Sequence, residues 1–201
     1  MFDPRLIALL DARLRSADRA AIDEEIWRSF GEEWCIMATD LSGFSRGVAD
    51  QGIIPFLQTI HESSRILVPL VEHYDGRLLK MEGDSFLVIF RDVSRALDAA
   101  IAMQRAVHRY NDTTHDRILL GVGLGFGAVL RVADAEVYGS EVNSACILGE
   151  SHARGFDILV TQAVRDAASS DFAFEEFAYV PPGARGAYRL LYSSSETANA
   201  R

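Results

Sequence analysis

Residues 118–129 read ILLGVGLGFGAV, and this stretch decides how the chain can fold. Glycine occupies every second position from 121 to 127. Because successive residues of a strand point to opposite faces, the four glycines share one face and let another element pack against bare backbone. The glycines alternate within the predicted strand and no helix follows at once, so the stretch is not a dinucleotide-binding fingerprint.

The pattern on either side predicts helices and short strands in mixed order. Apolar residues at helical spacing predict helices at 4–30, 50–74, 93–110, 142–153 and 162–168. Apolar runs bounded by turn residues predict strands at 34–39, 77–81, 85–90, 156–160, 172–180 and 187–192, with a loop around 134–139. Such an order predicts an α+β fold, one sheet with helices packed on it. We expect the chain to comprise a helical segment at 1–33, one domain at 34–192 and a flexible tail at 193–201.

Composition limits the possible partners. The 201 residues include 20 basic and 29 acidic ones, for a net charge of −9. An acidic chain is a poor ligand for nucleic acid or an anionic membrane, because both need a basic surface. No apolar run reaches the ~20 residues of a membrane span, and residues 1–5 lack the form of a signal peptide. We therefore expect a cytoplasmic protein that binds neither nucleic acid nor membrane.

Two aspartates stand at positions suited to metal chemistry. Asp40 ends the apolar run 34–39, and the turn that follows it, as far as Phe44, offers backbone N–H groups to phosphate. Asp84 lies in the turn of the predicted hairpin 77–90, four residues after Lys80, the only lysine of the chain. Helix capping explains Asp40 as well, and turn geometry explains Asp84. Together they could hold two divalent ions about 3.5–4 Å apart, as in phosphoryl displacement.

The order and spacing of these residues resemble the catalytic domain of class III nucleotidyl cyclases, the adenylate and guanylate cyclase family. The resemblance spans about residues 34 to 192. It is carried by DLSGF at 40–44, by Gly76 with KMEGD at 80–84, by Gly123 and Gly127, and by GSEVNSA at 139–145.

The resemblance implies a ferredoxin-like core with a mixed, mainly antiparallel sheet, and a head-to-tail homodimer with composite sites. Asp40 and Asp84, with the carbonyl of Leu41, would bind two divalent cations, Mg²⁺ or Mn²⁺. The opposite subunit would supply the residues that hold the nucleoside triphosphate. These are Lys80 and Glu136 for the base, Asn143 for the ribose and Arg185 for the triphosphate.

Two positions depart from the family pattern. Glu136 stands where adenylate cyclases usually have aspartate, and Ile147 where the family has an arginine that stabilises the transition state. Loss of one such stabiliser typically costs about 10²–10³ in rate. Three readings follow: a degenerate domain that binds a nucleotide or a partner without turnover, an adenylate cyclase in which Arg154 or Arg46 takes over, or a cyclase for another base.

For the third reading, uracil presents an N3–H donor between carbonyl acceptors, which matches the donor Lys80 and the acceptor Glu136. A longer acid also suits a smaller ring, although adenine accepts the same donor and acceptor types. Glutamate is usual at the Lys80 position in guanylate cyclases, which disfavours GTP. The chain resembles the stand-alone bacterial pyrimidine cyclases of antiphage signalling. We favour UTP over ATP as substrate, with the cyclic product gating a separate effector.

Overall fold

The computed structural model describes residues 3–42, 52–114, 117–133 and 136–193. The helices are α1 (Pro4–Arg15), α2 (Arg19–Phe30), α3 (Ile53–His73), α4 (Val93–Asn111), α5 (Ser140–Cys146) and α6 (Gln162–Ala167), and a π-helical turn, Ile147–His152, continues α5. The strands are β1 (Gly31–Leu41), β2 (Arg77–Glu82), β3 (Ser85–Phe90), β4 (Leu120–Val132), β5 (Glu136–Tyr138), β6 (Ile158–Thr161), β7 (Ala173–Glu176) and β8 (Ala187–Leu191).

The strands form one mixed sheet, which confirms the α+β prediction. Its order is β2-β3-β1-β4-β6-β8-β7, and β5 pairs with β4. Only β4 and β6 run parallel; the other pairs that the structure describes are antiparallel. The central strand β1 is paired along its length with β4, from Gly31 opposite Leu130 to Leu41 opposite Leu120. The sheet is therefore continuous from the β2–β3 hairpin to the C-terminal strand pair.

Alternation along β1 separates two cores. Cys35 and Met37 belong to the larger core, beneath α3 and α4. Trp34, Ile36 and Ala38 point to the other face and pack with residues of α5. Because side chains alternate along a strand, Asp40 belongs to the face that carries α5.

The predicted packing against bare glycine backbone is confirmed. A Cβ on Gly123 would lie 2.2 Å from the carbonyl oxygen of Ala145 and 2.3 Å from the backbone nitrogen of Gly149. A Cβ on Gly125 would lie 2.3 Å from the carbonyl oxygen of Glu141. The backbones of α5 and the π turn thus touch that of β4 directly.

The single helix predicted at 4–30 is wrong, because the chain forms two helices in that segment. Asp18 ends the continuity: its carboxylate accepts from the backbone N–H of Ala21, 3.1 Å away, and so caps α2. The two helices lie side by side, joined at one end by an Arg5–Glu25 ion pair of 3.1 Å. Leu6 and Ile26 are buried against Val132 of β4, so this helical hairpin covers the end of that strand.

Two further boundaries differ from expectation. The predicted loop around 134–139 contains β5, so Glu136 stands on a strand that is held by backbone pairing with Val132. The helix predicted at 142–153 begins at Ser140 and changes to π geometry at Ile147.

The tail predicted at 193–201 lies, beyond Ser193, outside the described residues. Among the helices within the described ranges, none has the length and apolar character needed to cross a bilayer.

Replacing Gly123 by alanine should destabilise the fold strongly. The new methyl group would meet the backbone of Ala145 and Gly149, which no side-chain rotation can relieve. We expect a loss of about 3 kcal/mol in the free energy of unfolding, the upper end of the usual cost of overpacking. Urea denaturation measures this directly.

Gly186→Ala is the matched control. Its methyl group would meet only side chains: the end of Gln162 at 3.2 Å, which can move, and the ring of Tyr188 at 3.4 Å, an ordinary contact. A loss below about 1 kcal/mol in both variants would contradict the close backbone packing.

Candidate active site

Asp40 lies at the C-terminal end of the central strand β1. It pairs with Gly121 of β4, and the backbone N–H of Ser42 makes a 2.8 Å bond to the carbonyl of Leu119 just beyond. The side chain is half-buried, and the hydroxyl of Ser85 donates to its Oδ1 at 3.1 Å. This bond ties β1 to the start of β3.

Asp84 reaches the same place through the β2–β3 turn. Gly83 takes a left-handed conformation there, with φ of 58°, and Asp84 follows it directly. Burial raises the pKa of Asp40, and the negative charge of Asp84 raises it further. Burial also raises the pKa of Asp84. The structure therefore brings together the two aspartates that the sequence singled out.

A third carboxylate at this place, Glu150, was missed in the sequence. The π turn carries it: the backbone N–H of Ala153 bonds the carbonyl of Leu148 at 2.7 Å, five residues back. Gly149 lets the turn approach β1, since a Cβ there would lie 2.6 Å from the carbonyl oxygen of Ala38. Glu150 is exposed overall, but partial burial of its carboxyl group raises its pKa, and the charge of Asp40 adds to the effect. Gly149 is the one sequence signal that could have indicated this approach.

The donor set fits a hard divalent cation. Carboxylates are the ligands that Mg²⁺ uses in proteins, and such ions commonly bind through one or two carboxylates together with substrate phosphates. The repulsion between Asp40 and Asp84 is what a bound cation would relieve. Among the described residues, no three His, Cys, Asp or Glu side chains are grouped to hold a metal by themselves. The site therefore suits an ion that arrives with phosphate oxygens.

The residues assigned to the nucleotide lie on other elements. Lys80 is exposed on β2, and its ammonium lies 2.6 Å from Glu82 Oε1. Glu136 lies on β5, which pairs with β4. Two strands, β3 and β1, separate β4 from β2 in the sheet. The described structure shows no contact between Lys80 and Glu136. Phe44, assigned to phosphate, lies outside the described residues.

Asn143 and Arg185 lie around the start of α5. Asn143 is exposed on that helix. The loop that carries Arg185 reaches it at Gly183, where a Cβ would lie 3.6 Å from the Cβ of Ser140. Arg185 lines a cavity of about 290 Å³ together with Glu141 and residues of α6.

The two departures from the family pattern have distinct surroundings. Ile147 is half-buried at the start of the π turn, and Arg154 is exposed two residues after that turn ends. The other arginine considered, Arg46, lies outside the described residues. Glu136 accepts a hydrogen bond of 2.5 Å from the hydroxyl of Tyr138.

The mixed sheet thus brings two aspartates together at the end of β1, beside the β2–β3 turn. Residues 29–186 match the family model described as the adenylate and guanylate cyclase catalytic domain. The chain belongs to this family.

Two known proteins are similar in sequence to about half of this chain. The chain is 34% identical over 112 residues to "Putative adenylate cyclase 3" of Rhizobium meliloti (strain 1021), covering 55% of this chain and 19% of that protein. It is 33% identical over 102 residues to "Serine/threonine-protein kinase pkn2" of Myxococcus xanthus, covering 50% of this chain and 12% of that protein. The chain thus spans less than a fifth of the length of each.

Solved structures share the fold. The guanylyl cyclase Cya2 superposes with a TM-score of 0.70 at 19% identity, over 80% of this chain and 90% of that one. The adenylyl cyclase CyaB from P. aeruginosa gives 0.70 at 17% identity, over 81% and 95%. These likenesses confirm the fold of the cyclase core.

Removing the charge of Asp40 should stabilise the metal-free protein at neutral pH. Its pKa is raised in the folded state, so ionisation costs stability as the pH rises above the ordinary value of about 3.9. We expect Asp40→Asn to raise the melting temperature by a few degrees at neutral pH, with the gain fading below about pH 4. Thermal unfolding in chelator measures this.

Adding Mn²⁺ should reverse the ranking, because only the wild-type protein keeps both carboxylates for the ion. Asp11→Asn, which removes an exposed charge from α1, is the control. It should leave the melting temperature unchanged both in chelator and with Mn²⁺. A metal-free Asp40→Asn variant that melts below the wild type at neutral pH would contradict the electrostatic argument.

Proposed function

We propose that this chain is a nucleotidyl cyclase that converts a ribonucleoside triphosphate to its 3′,5′-cyclic monophosphate and pyrophosphate. The proposal rests above all on the pairing of Asp40 with Asp84 at the end of β1, in a chain that belongs to the cyclase family. In the reaction, O3′ of the ribose attacks the α-phosphorus. The bond from that phosphorus to the bridging oxygen breaks, pyrophosphate leaves, and the proton of the 3′-hydroxyl is released to solvent.

Asp40 and Asp84, with the carbonyl of Leu41, would hold two divalent cations, Mg²⁺ or Mn²⁺. Such ions lower the pKa of the attacking hydroxyl and neutralise the leaving pyrophosphate. Ser85 fixes Oδ1 of Asp40 and so orients the carboxylate. The half-burial of both aspartates also limits the water that competes for the ions.

The remaining groups would come from a second copy of the chain. In a head-to-tail homodimer, Asn143 of the partner subunit orients the ribose and Arg185 of the partner subunit contacts the triphosphate. In the single chain these two lie around α5, whereas the aspartates lie at the end of β1. Asn143 is exposed, as a residue that reaches across an interface must be.

For the base we propose uracil ahead of adenine. Lys80 supplies a donor and Glu136 an acceptor, which match the carbonyls and the N3–H of uracil. Cyclic UMP would then act in the cytoplasm as a second messenger in antiviral defence, gating a separate effector. Adenylate cyclase activity is the nearest alternative, since adenine accepts the same pair of groups.

A second candidate is a dimerising module that binds a nucleotide without turnover. The observation that favours it is Ile147, an apolar side chain at the position where the family carries the arginine that stabilises the transition state. Arg154, exposed beyond the π turn, is the residue we propose as its replacement if turnover occurs.

Incubation with Mn²⁺ and each of the four ribonucleoside triphosphates should give a cyclic product, identified by mass spectrometry, with UTP the preferred substrate. Asp40→Asn and Asp84→Asn should each reduce turnover at least about 10³-fold, because metal-assisted chemistry supplies much of the rate. Asp11→Asn should retain wild-type turnover. A folded, dimeric protein that yields no cyclic product from any substrate would favour the binding module.

Mixing two inactive variants tests the composite site. Asp40→Ala and Asn143→Ala subunits should regain activity together, because one of the two sites in the mixed dimer then contains only intact residues. About a quarter of wild-type turnover is expected from random subunit exchange at equal concentrations, since half of the dimers then carry one intact site. No recovery after exchange has been shown by mass spectrometry would mean that each chain builds its site alone.

A further inference from the structure

β5 places two polar side chains on one face. Its three residues alternate, so Glu136 and Tyr138 point the same way while Val137 points into the core and is 7% exposed. The Tyr138 hydroxyl donates to Glu136 Oε2 over 2.5 Å. No described residue donates to the other oxygen, Oε1. The carboxylate is therefore held by one oxygen and open at the other.

A glutamate without such a bond would sample several rotamers. Its side chain has one more rotatable bond than aspartate, and ordering it on ligand binding costs free energy. Hydrogen bonds to an ionised acceptor are stronger than neutral ones, so the Tyr138 hydroxyl can fix the carboxylate before a ligand arrives. The bond to Glu136 raises the pKa of Tyr138, which keeps the tyrosine protonated and able to donate.

The backbone of Tyr138 is held by the sheet, and the residue is 41% exposed beside the helical hairpin. Tyr138 pairs with Leu130 of β4, so its backbone is fixed. Its ring lines a groove of about 410 Å³ that is otherwise mostly apolar and is bounded by Leu10 and Trp27 of the hairpin. The ring thus borders the groove between the hairpin and β4, and its hydroxyl donates to Glu136.

We propose that Tyr138 is a positioning residue that holds Glu136 in the orientation needed to recognise the base and so sets the base preference of the enzyme. The proposal rests on the role assigned above to Glu136. Tyr138 does not touch the base; it acts through the carboxylate.

Tyr138→Phe removes the hydroxyl and keeps the ring. The test is calorimetry, which would give the equilibrium dissociation constants of the protein for the non-cyclisable α,β-methylene analogues of UTP and ATP in the presence of Mn²⁺. The dissociation constant for the preferred analogue should rise about tenfold, and that for the other should change less than about twofold. In turnover, KM should rise while kcat stays within about twofold, because the lost interaction acts on binding.

Tyr74→Phe is the matched control: it deletes a hydroxyl from a ring that packs on the core beneath α3 and α4, outside the groove that Tyr138 lines, and it should bind both analogues as the wild type does. Glu136→Gln alone should lower the base preference. Adding Tyr138→Phe to Glu136→Gln should lower it no further, because the two residues act as one unit.

Tyr138→Phe with unchanged selectivity, beside a Glu136→Gln variant that has lost it, would overturn this inference and leave the proposed cyclase function intact. Unchanged selectivity in Glu136→Gln would overturn both this inference and the assignment of Glu136 to the base. Absence of turnover in wild-type protein that still binds the analogues selectively would refute only the proposed reaction, since the binding measurements need no chemistry.

Discussion

The direct contact between the glycine face of β4 and the backbone of α5 and its π turn determines the geometry of the rest of the structure. Without side chains between them, helix and strand approach more closely than ordinary packing allows. The same approach brings Gly149 onto the carbonyl of Ala38 and carries Glu150 towards the end of β1. The exposed face of α5, with Asn143, is fixed by this contact as well.

The electrostatics of the site follow from that geometry. Asp40, Asp84 and Glu150 all have raised pKa values, each with burial as the largest cause. A folded chain normally avoids such a concentration of like charge, because it costs stability at neutral pH. Carboxylates with perturbed pKa values that are grouped in this way are typical of functional sites, and a cation bound between them would recover the lost stability.

The order of elements and the two aspartates were predictable because local pattern determines them. Alternation indicated the glycine face, and the turn at Gly83 placed Asp84 at the edge of the sheet. The break at Asp18 was not found, because the apolar spacing continues through it and only the cap reveals it. Glu150 was not found because its approach depends on π geometry and on contact with β1, which is far away in sequence. The roles of Lys80, Asn143 and Arg185 concern a second subunit and stay predictions.

The pairing of β1 with β4 also has a consequence for how the protein is made. Asp40 lies opposite Gly121, about 80 residues later in the chain. The entropy cost of closing a loop of that length is incurred before the contact can contribute any stabilising free energy. Contacts between residues distant in sequence therefore slow folding. During synthesis the first aspartate leaves the ribosome long before its neighbours on β4 and the π turn exist. A nascent chain that has emerged only as far as Asp84 therefore carries both aspartates without the strand and the turn that complete the centre.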